Sequence, residues 1–113
     1  MTPTGDAGNI VGNHENKYAS RNPIARYLVD HFLDAVTELY ASTCAQSVLE
    51  VGCGEGRLAT HLVTHGHRPE RFVACDLELH LAPDVDDTIE FLPASIYELP
   101  FADRSFELVV CCE

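Results

Sequence analysis

The sequence predicts an α/β fold built on a parallel β-sheet with flanking helices. Three observations carry this. Four short apolar runs of β type follow one another: Ser47–Val51, then 72–75, 89–92 and 106–112. A stretch of helical period separates the first two. The first run ends in Gly52-Cys53-Gly54-Glu55-Gly56, a turn that opens a helix. Strands alternating with helical stretches form βαβ units, and βαβ units make parallel sheets.

Each element has a local reason. Residues 1–20 are polar, rich in Gly and Asn, and without period, which predicts a flexible arm. The folded domain is expected over 21–113. Asn22-Pro23 reads as a helix start, with Asn as N-cap and Pro at the first helical position. Ile24, Leu28, Phe32, Val36 and Leu39 then recur at helical spacing to about Ala41, one apolar face that needs a cover. Leu58, Ala59, Leu62 and Val63 give a second helical period. It stops near His65-Gly66, where Gly suits a left-handed cap. The link over 77–88 is short and broken by Pro83 and three aspartates, so a helical turn is expected there. His65 and His67 are expected to face solvent around the cap.

Composition narrows the function. The chain has 113 residues, too few for two ordinary domains. Asp and Glu number 18 against 7 Lys and Arg, a formal net charge of -11. That balance argues against nucleic acid and anionic membrane surfaces, which need a basic patch. No apolar run approaches the roughly 20 residues that span a bilayer. The N-terminal residues show no secretory pattern. Five cysteines without a C-x-x-C pair predict reduced, buried thiols and a cytoplasmic location.

The chemistry concentrates at 48–56. Closely spaced glycines between a strand and a helix let a ligand lie against the backbone, beside free N–H groups. Such a loop holds a phosphate, a carboxylate or the backbone of an amino-acid-like cofactor. A Walker loop needs G-K-[ST], but Arg57-Leu58 follows Gly56. A dinucleotide fingerprint needs G-x-G-x-x-G, but Arg57 stands at its third glycine. What remains is G-x-G-x-G preceded by Glu50. Asp76 ends the second apolar run, on the rim that parallel strands share, where a carboxylate accepts hydrogen bonds from ribose hydroxyls.

These segments resemble the Rossmann-like (class I) methyltransferases that use S-adenosyl-L-methionine. Residues 48–56 resemble that family's first motif and Val73-Ala74-Cys75-Asp76 its second. Leu99-Pro100-Phe101 and the following Asp103-Arg104-Ser105-Phe106-Glu107-Leu108-Val109 resemble the approach to its fourth strand. The resemblance spans about 47–113. It implies that Gly52, Cys53, Gly54 and Gly56 line the methionine part of the cofactor and that Glu50 orders this loop near the amino group. It implies that Asp76 holds the ribose and Leu77 packs on the adenine. Ser95 and Ile96 fall at the adenine edge, where many members carry an Asp. Cys112 falls where the end of the fourth strand faces the sulfonium, and Tyr18 where the N-terminal segment covers the cofactor. The implied function is methyl transfer to a small-molecule acceptor, with this chain carrying the cofactor-binding half. No general base or metal site is assigned. The alternatives are an NAD-dependent oxidoreductase and a non-catalytic nucleotide-binding module. The family's strand order is 3-2-1-4-5-7-6, so a chain stopping at Glu113 is expected to leave a bare fourth-strand edge and an apolar patch, and to self-associate there.

Overall fold

A computed structural model describes residues 22–112. The expected arm, with Tyr18, and the last residue, Glu113, lie outside the described residues. The elements are α1 (Pro23–Thr43), β1 (Ser47–Val51), α2 (Arg57–His61), a π-helical turn (Leu62–Gly66), β2 (Arg71–Asp76), β3 (Ile89–Pro93) and β4 (Leu108–Val110). The strands form one sheet in the order β3-β2-β1-β4. All three pairings are parallel. None of the described helices is long and apolar enough to cross a membrane.

Helix α1 starts as its sequence dictates. Asn22 caps it, its side chain accepting the Ile24 N–H at 2.9 Å, with Pro23 in the first turn. It ends at Cys44, which is left-handed at φ 53. The buried face differs from the expected one. Phe32, Leu33, Val36 and Tyr40 pack on the core, while Ile24, Leu28 and Leu39 are 71%, 61% and 69% exposed. Tyr40 decides this rotation. Its ring stacks on His67 with centroids 4.5 Å apart, and its hydroxyl donates to the His67 carbonyl at 2.9 Å. His67 therefore does not face solvent; its Nε2 lies 2.6 Å from the Ala45 carbonyl.

Gly66 is not a left-handed cap either. The chain leaves α2 through the π-helical turn into an extended His67. A side chain on Gly66 would bring its Cβ within 2.8 Å of Tyr40 Cδ2. The glycine is there to let α1 come close. The link over 77–88 contains turns and no helical turn. It is held by Asp86, whose carboxylate accepts two bonds from Arg68, at 2.8 and 3.0 Å. The Asp86 N–H donates to Thr60 Oγ1 at 3.1 Å.

The sheet has two buried faces. On one, Val48, Phe72, Ala74 and Ile89 pack under α1 and α2. On the other, Leu49, Val51, Val73 and Cys75 pack under Leu99, Phe101 and Phe106. The sequence leads one to expect an open second face; the non-helical β3–β4 connection covers it instead. Phe101 and Phe106 meet edge-to-face at 5.0 Å. Strand β4 is shorter than the apolar run 106–112 suggests, ending at Val110. Cys111 and Cys112 beyond it are exposed, as is Cys44, so only Cys53 and Cys75 are the buried thiols expected. Glu107 fixes the approach to β4. Its carboxylate accepts the Gln46 N–H at 2.6 Å, and its own N–H donates to the Ser47 carbonyl at 3.0 Å.

Candidate functional site

Parallel strands place all their C-terminal ends on one rim. Between β1 and β4 the chain order reverses, since β1 leads through α2 to β2 on one side and β4 lies on the other. Ligands of open α/β sheets bind outside such a switch point.

The glycine loop sits on that rim. Gly52, Gly54 and Gly56 all have positive φ, at 79, 56 and 81°. The Gly52 and Cys53 N–H groups both donate to the Cys75 carbonyl, at 2.8 and 3.0 Å, which folds the loop over the end of β2. The other two glycines do different work. A Cβ on Gly54 would meet nothing within 4 Å, so its backbone faces open space. A Cβ on Gly56 would lie 2.9 Å from Val85 and 3.0 Å from Phe91. Gly56 thus lets the start of α2 close on β3 and on the link before it. The Ala82 N–H donates to the Glu55 carbonyl at 2.9 Å and ties the loop to that link. Arg57, which replaces the dinucleotide glycine, turns back to Glu55 in a 2.8 Å ion pair.

Asp76 joins three segments. Its Oδ2 accepts the Gly54 N–H at 2.9 Å and its Oδ1 accepts the Leu77 N–H at 2.7 Å. Its carbonyl accepts the Ala94 N–H at 2.8 Å. Each carboxylate oxygen keeps a second acceptor site, so the group still receives donors from a ligand.

The local field is negative. Glu50 is 1% exposed in the central strand, paired in register between Ala74 and Val110. Burial, with the charges of Glu50 and Asp76, pushes the Cys53 thiol up to about 12. Burial and the same two carboxylates also push Cys75 up. Both thiols stay protonated and unreactive near neutral pH. Such a field suits a cationic or hydroxyl-bearing ligand and opposes a pyrophosphate.

The remaining sequence-derived positions lie further out. Leu77 is 70% exposed beside Asp76, and Ile96 is 55% exposed beyond β3. Ser95 Oγ accepts the Tyr97 N–H at 3.1 Å, so this hydroxyl shapes its own turn. Cys112 is exposed just past β4. Glu50, Gly52, Cys53, Gly54 and Asp76 are brought together by β1 and β2. Ala94 links Ser95 and Ile96 to them through Asp76. Val85, Phe91 and Ala82 escape a reading of the sequence, because each reaches the loop from a distant segment and leaves no local pattern.

Comparison with known proteins identifies the domain. The family model described as "Methyltransferase domain" matches residues 48–113. The chain belongs to this methyltransferase domain family. A cycloartenol-C-24-methyltransferase of Arabidopsis thaliana is 33% identical over 75 residues, covering 60% of this chain and 22% of that protein. The chain therefore spans about a fifth of that relative's length. A crystal structure of the plantazolicin methyltransferase BpumL, in complex with a monoazolic desmethylPZN analog and SAH, shares the fold. Its TM-score is 0.53 at 13% identity, over 78% of this chain and 41% of that one. Within this methyltransferase domain, the family match opens at Val48 and so takes in the whole glycine loop and Asp76. Helix α1 precedes it.

Proposed function

We propose that this chain binds S-adenosylmethionine on the rim formed by the ends of β1, β2 and β3, as the cofactor-binding half of a methyltransferase with a small-molecule acceptor. The residues present fit that group. Gly54 turns bare backbone to open space, and Asp76 stands beside it with acceptor capacity to spare. The observation that carries the reading is the charge of the site. Two carboxylates, one fully buried, bear on a loop with no basic residue closer in sequence than Arg57, and Arg57 is paired with Glu55. A cationic sulfonium compound with an ammonium group suits this field; an anionic dinucleotide does not.

When bound, the cofactor supplies a methyl group already activated for attack by a nucleophile. This chain's own residues bind, orient and keep water out. Asp76 would hold the ribose hydroxyls, with Leu77 and Ile96 against the adenine and Ser95 at its edge. Gly52, Cys53 and Gly54 would line the methionine part, Glu50 would balance its positive charge from beneath, and Gly56 would keep the loop seated. Cys112 would lie toward the reacting methyl. No residue is assigned as general base. Similarity to a cycloartenol methyltransferase supports a small-molecule acceptor. A reducing, cytoplasmic location belongs to the same reading. So does pairing of the β4 edge with another strand, supported by Val109 at 58% exposure.

Isothermal titration tests the cofactor. S-adenosylhomocysteine should bind saturably and NADH should not. Binding of NADH alone would favour the oxidoreductase reading, and binding of neither would remove the nucleotide site.

A further inference from the structure

The link over 77–88 runs from the rim to the opposite end of the sheet, where β3 begins, and it has no helix of its own. It is fastened at both ends. Near the rim, the Ala82 N–H holds the Glu55 carbonyl, and Val85 lies 2.9 Å from the point a Cβ on Gly56 would occupy. At the far end, the Asp86 carboxylate takes the Arg68 guanidinium by two prongs, and its Oδ1 also accepts the Thr88 N–H at 2.9 Å. An isolated exposed ion pair stabilises little; a two-pronged pair inside a wider set of bonds is the exception. This far node connects back to the glycine loop. The Asp86 N–H donates to Thr60 Oγ1, and the Thr60 N–H donates to the Gly56 carbonyl at 3.1 Å. Asp84, Asp86 and Asp87 also crowd negative charge into one short stretch of a chain whose net charge is -11. Their repulsion drives the link outward, and Arg68 is the cation that offsets it.

We propose that Arg68 and Asp86 are positioning residues for the cofactor loop: their pair seats the link against Gly56 and so fixes the backbone that the cofactor meets. The proposal rests on the reading that this rim binds S-adenosylmethionine. Neither residue touches the ligand. They act through Thr60, which holds the Gly56 carbonyl, and through Val85, which fills the space beside Gly56. With the pair intact, the loop already has its binding conformation before the cofactor arrives. With the pair broken, the link loosens and the loop spends part of its time in other conformations. Apparent affinity then falls by the same factor as the competent fraction.

Arg68→Gln is the lead variant, since Arg68 is exposed and its loss leaves Asp86 bonded to Thr88 and Thr60. Thr60→Val is the second; it keeps the side-chain shape and removes the hydroxyl that receives Asp86. Both are measured well below their melting temperatures, by calorimetric titration with S-adenosylhomocysteine and by the amide NMR signals of Gly54 and Gly56 in the free chain. Each variant should bind about threefold to tenfold more weakly, the factor expected if the competent fraction falls to between a third and a tenth. The two glycine signals should shift or broaden, which a loss of global stability alone does not cause in a chain that is still folded. Glu90→Gln breaks a different exposed ion pair, with Arg71 at 3.5 Å, and should leave affinity and signals unchanged. Wild-type affinity in Arg68→Gln, unmoved glycine signals, or an equal effect from Glu90→Gln would each overturn the proposal. Failure of the wild type itself to bind would instead remove the cofactor reading, and the glycine signals would still decide whether the pair holds the loop.

Discussion

At the scale of single residues, the rim separates two kinds of glycine. Gly54 and Gly56 are both left-handed, so any side chain costs about 1–2 kcal/mol in strain. Only Gly56 also lacks room, since Val85 and Phe91 stand 2.9 and 3.0 Å from the point its Cβ would occupy. Gly56→Ala should therefore lower stability by about 2–4 kcal/mol, strain and overpacking together. Gly54→Ala should lower it by strain alone, yet weaken S-adenosylhomocysteine binding out of proportion. Urea unfolding and calorimetric titration, run on both variants, check the contrast. Asp76→Ala removes a charged acceptor from two backbone donors and from the proposed ligand. Affinity should fall by about 2–4 kcal/mol, and stability should also fall, because the Gly54 and Leu77 N–H groups lose their partner. Unchanged affinity would take Asp76 out of the site.

At the scale of elements, the junctions are the sensitive points. Helix α1 ends on Cys44 at φ 53, a conformation that favours glycine. Cys44→Gly should raise stability by about 0.5–1 kcal/mol, the relief of strain exceeding the added freedom of the unfolded chain. A higher urea midpoint with an unchanged slope is the expected result. The link before β3 hangs on Asp86. Its carboxyl is held well below the usual 3.8 by the Arg68 guanidinium and by bonds from Thr88. A depressed folded-state value means stability present above about 3.8 and lost as pH falls toward the folded value. Asp86→Asn should thus melt lower than wild type at neutral pH, and the two should converge in acid; thermal melts across pH show this. The strands and their order of appearance were legible, because apolar β-branched runs and a glycine turn leave local marks. The glycine loop and Asp76 were legible for the same reason. The buried face of α1 was not. A period search weighs Leu39 above Tyr40, whereas the Tyr40 ring and hydroxyl both find His67. The role of Gly66 depends on that same tyrosine and was hidden with it. Cys111 and Cys112 looked like strand by their apolarity, but β4 pairs with β1 only over Leu108–Val110 and leaves both thiols exposed beyond it.

At the scale of the whole molecule, an irregular segment does the work of a helix. Leu99, Phe101 and Phe106 close the second face of the sheet. Phe106 also lies under the Arg71 guanidinium, 5.3 Å from the ring centre. Phe106→Ala should cost about 1–3 kcal/mol, below the range for a fully buried ring because this one is half-buried. Chemical denaturation measures it, and a loss near zero would mean that the segment covers the sheet without stabilising it. Glu107, visible in the sequence only as part of a motif, proves to be the clamp that seats this segment on the start of β1.

That clamp has a consequence in time. Glu107 and Gln46 are 61 residues apart, yet their hydrogen bond sets the pairing of β4 with β1. During synthesis, β1 emerges from the ribosome long before its outer neighbour exists. Until residues 99–110 follow, Leu49, Val51, Val73 and Cys75 have no cover on their side of the sheet. Distant pairings close late and slowly, because the intervening loop must give up its freedom first. The nascent chain therefore passes through a stage with one finished face and one naked face, the stage at which a chaperone has most to hold.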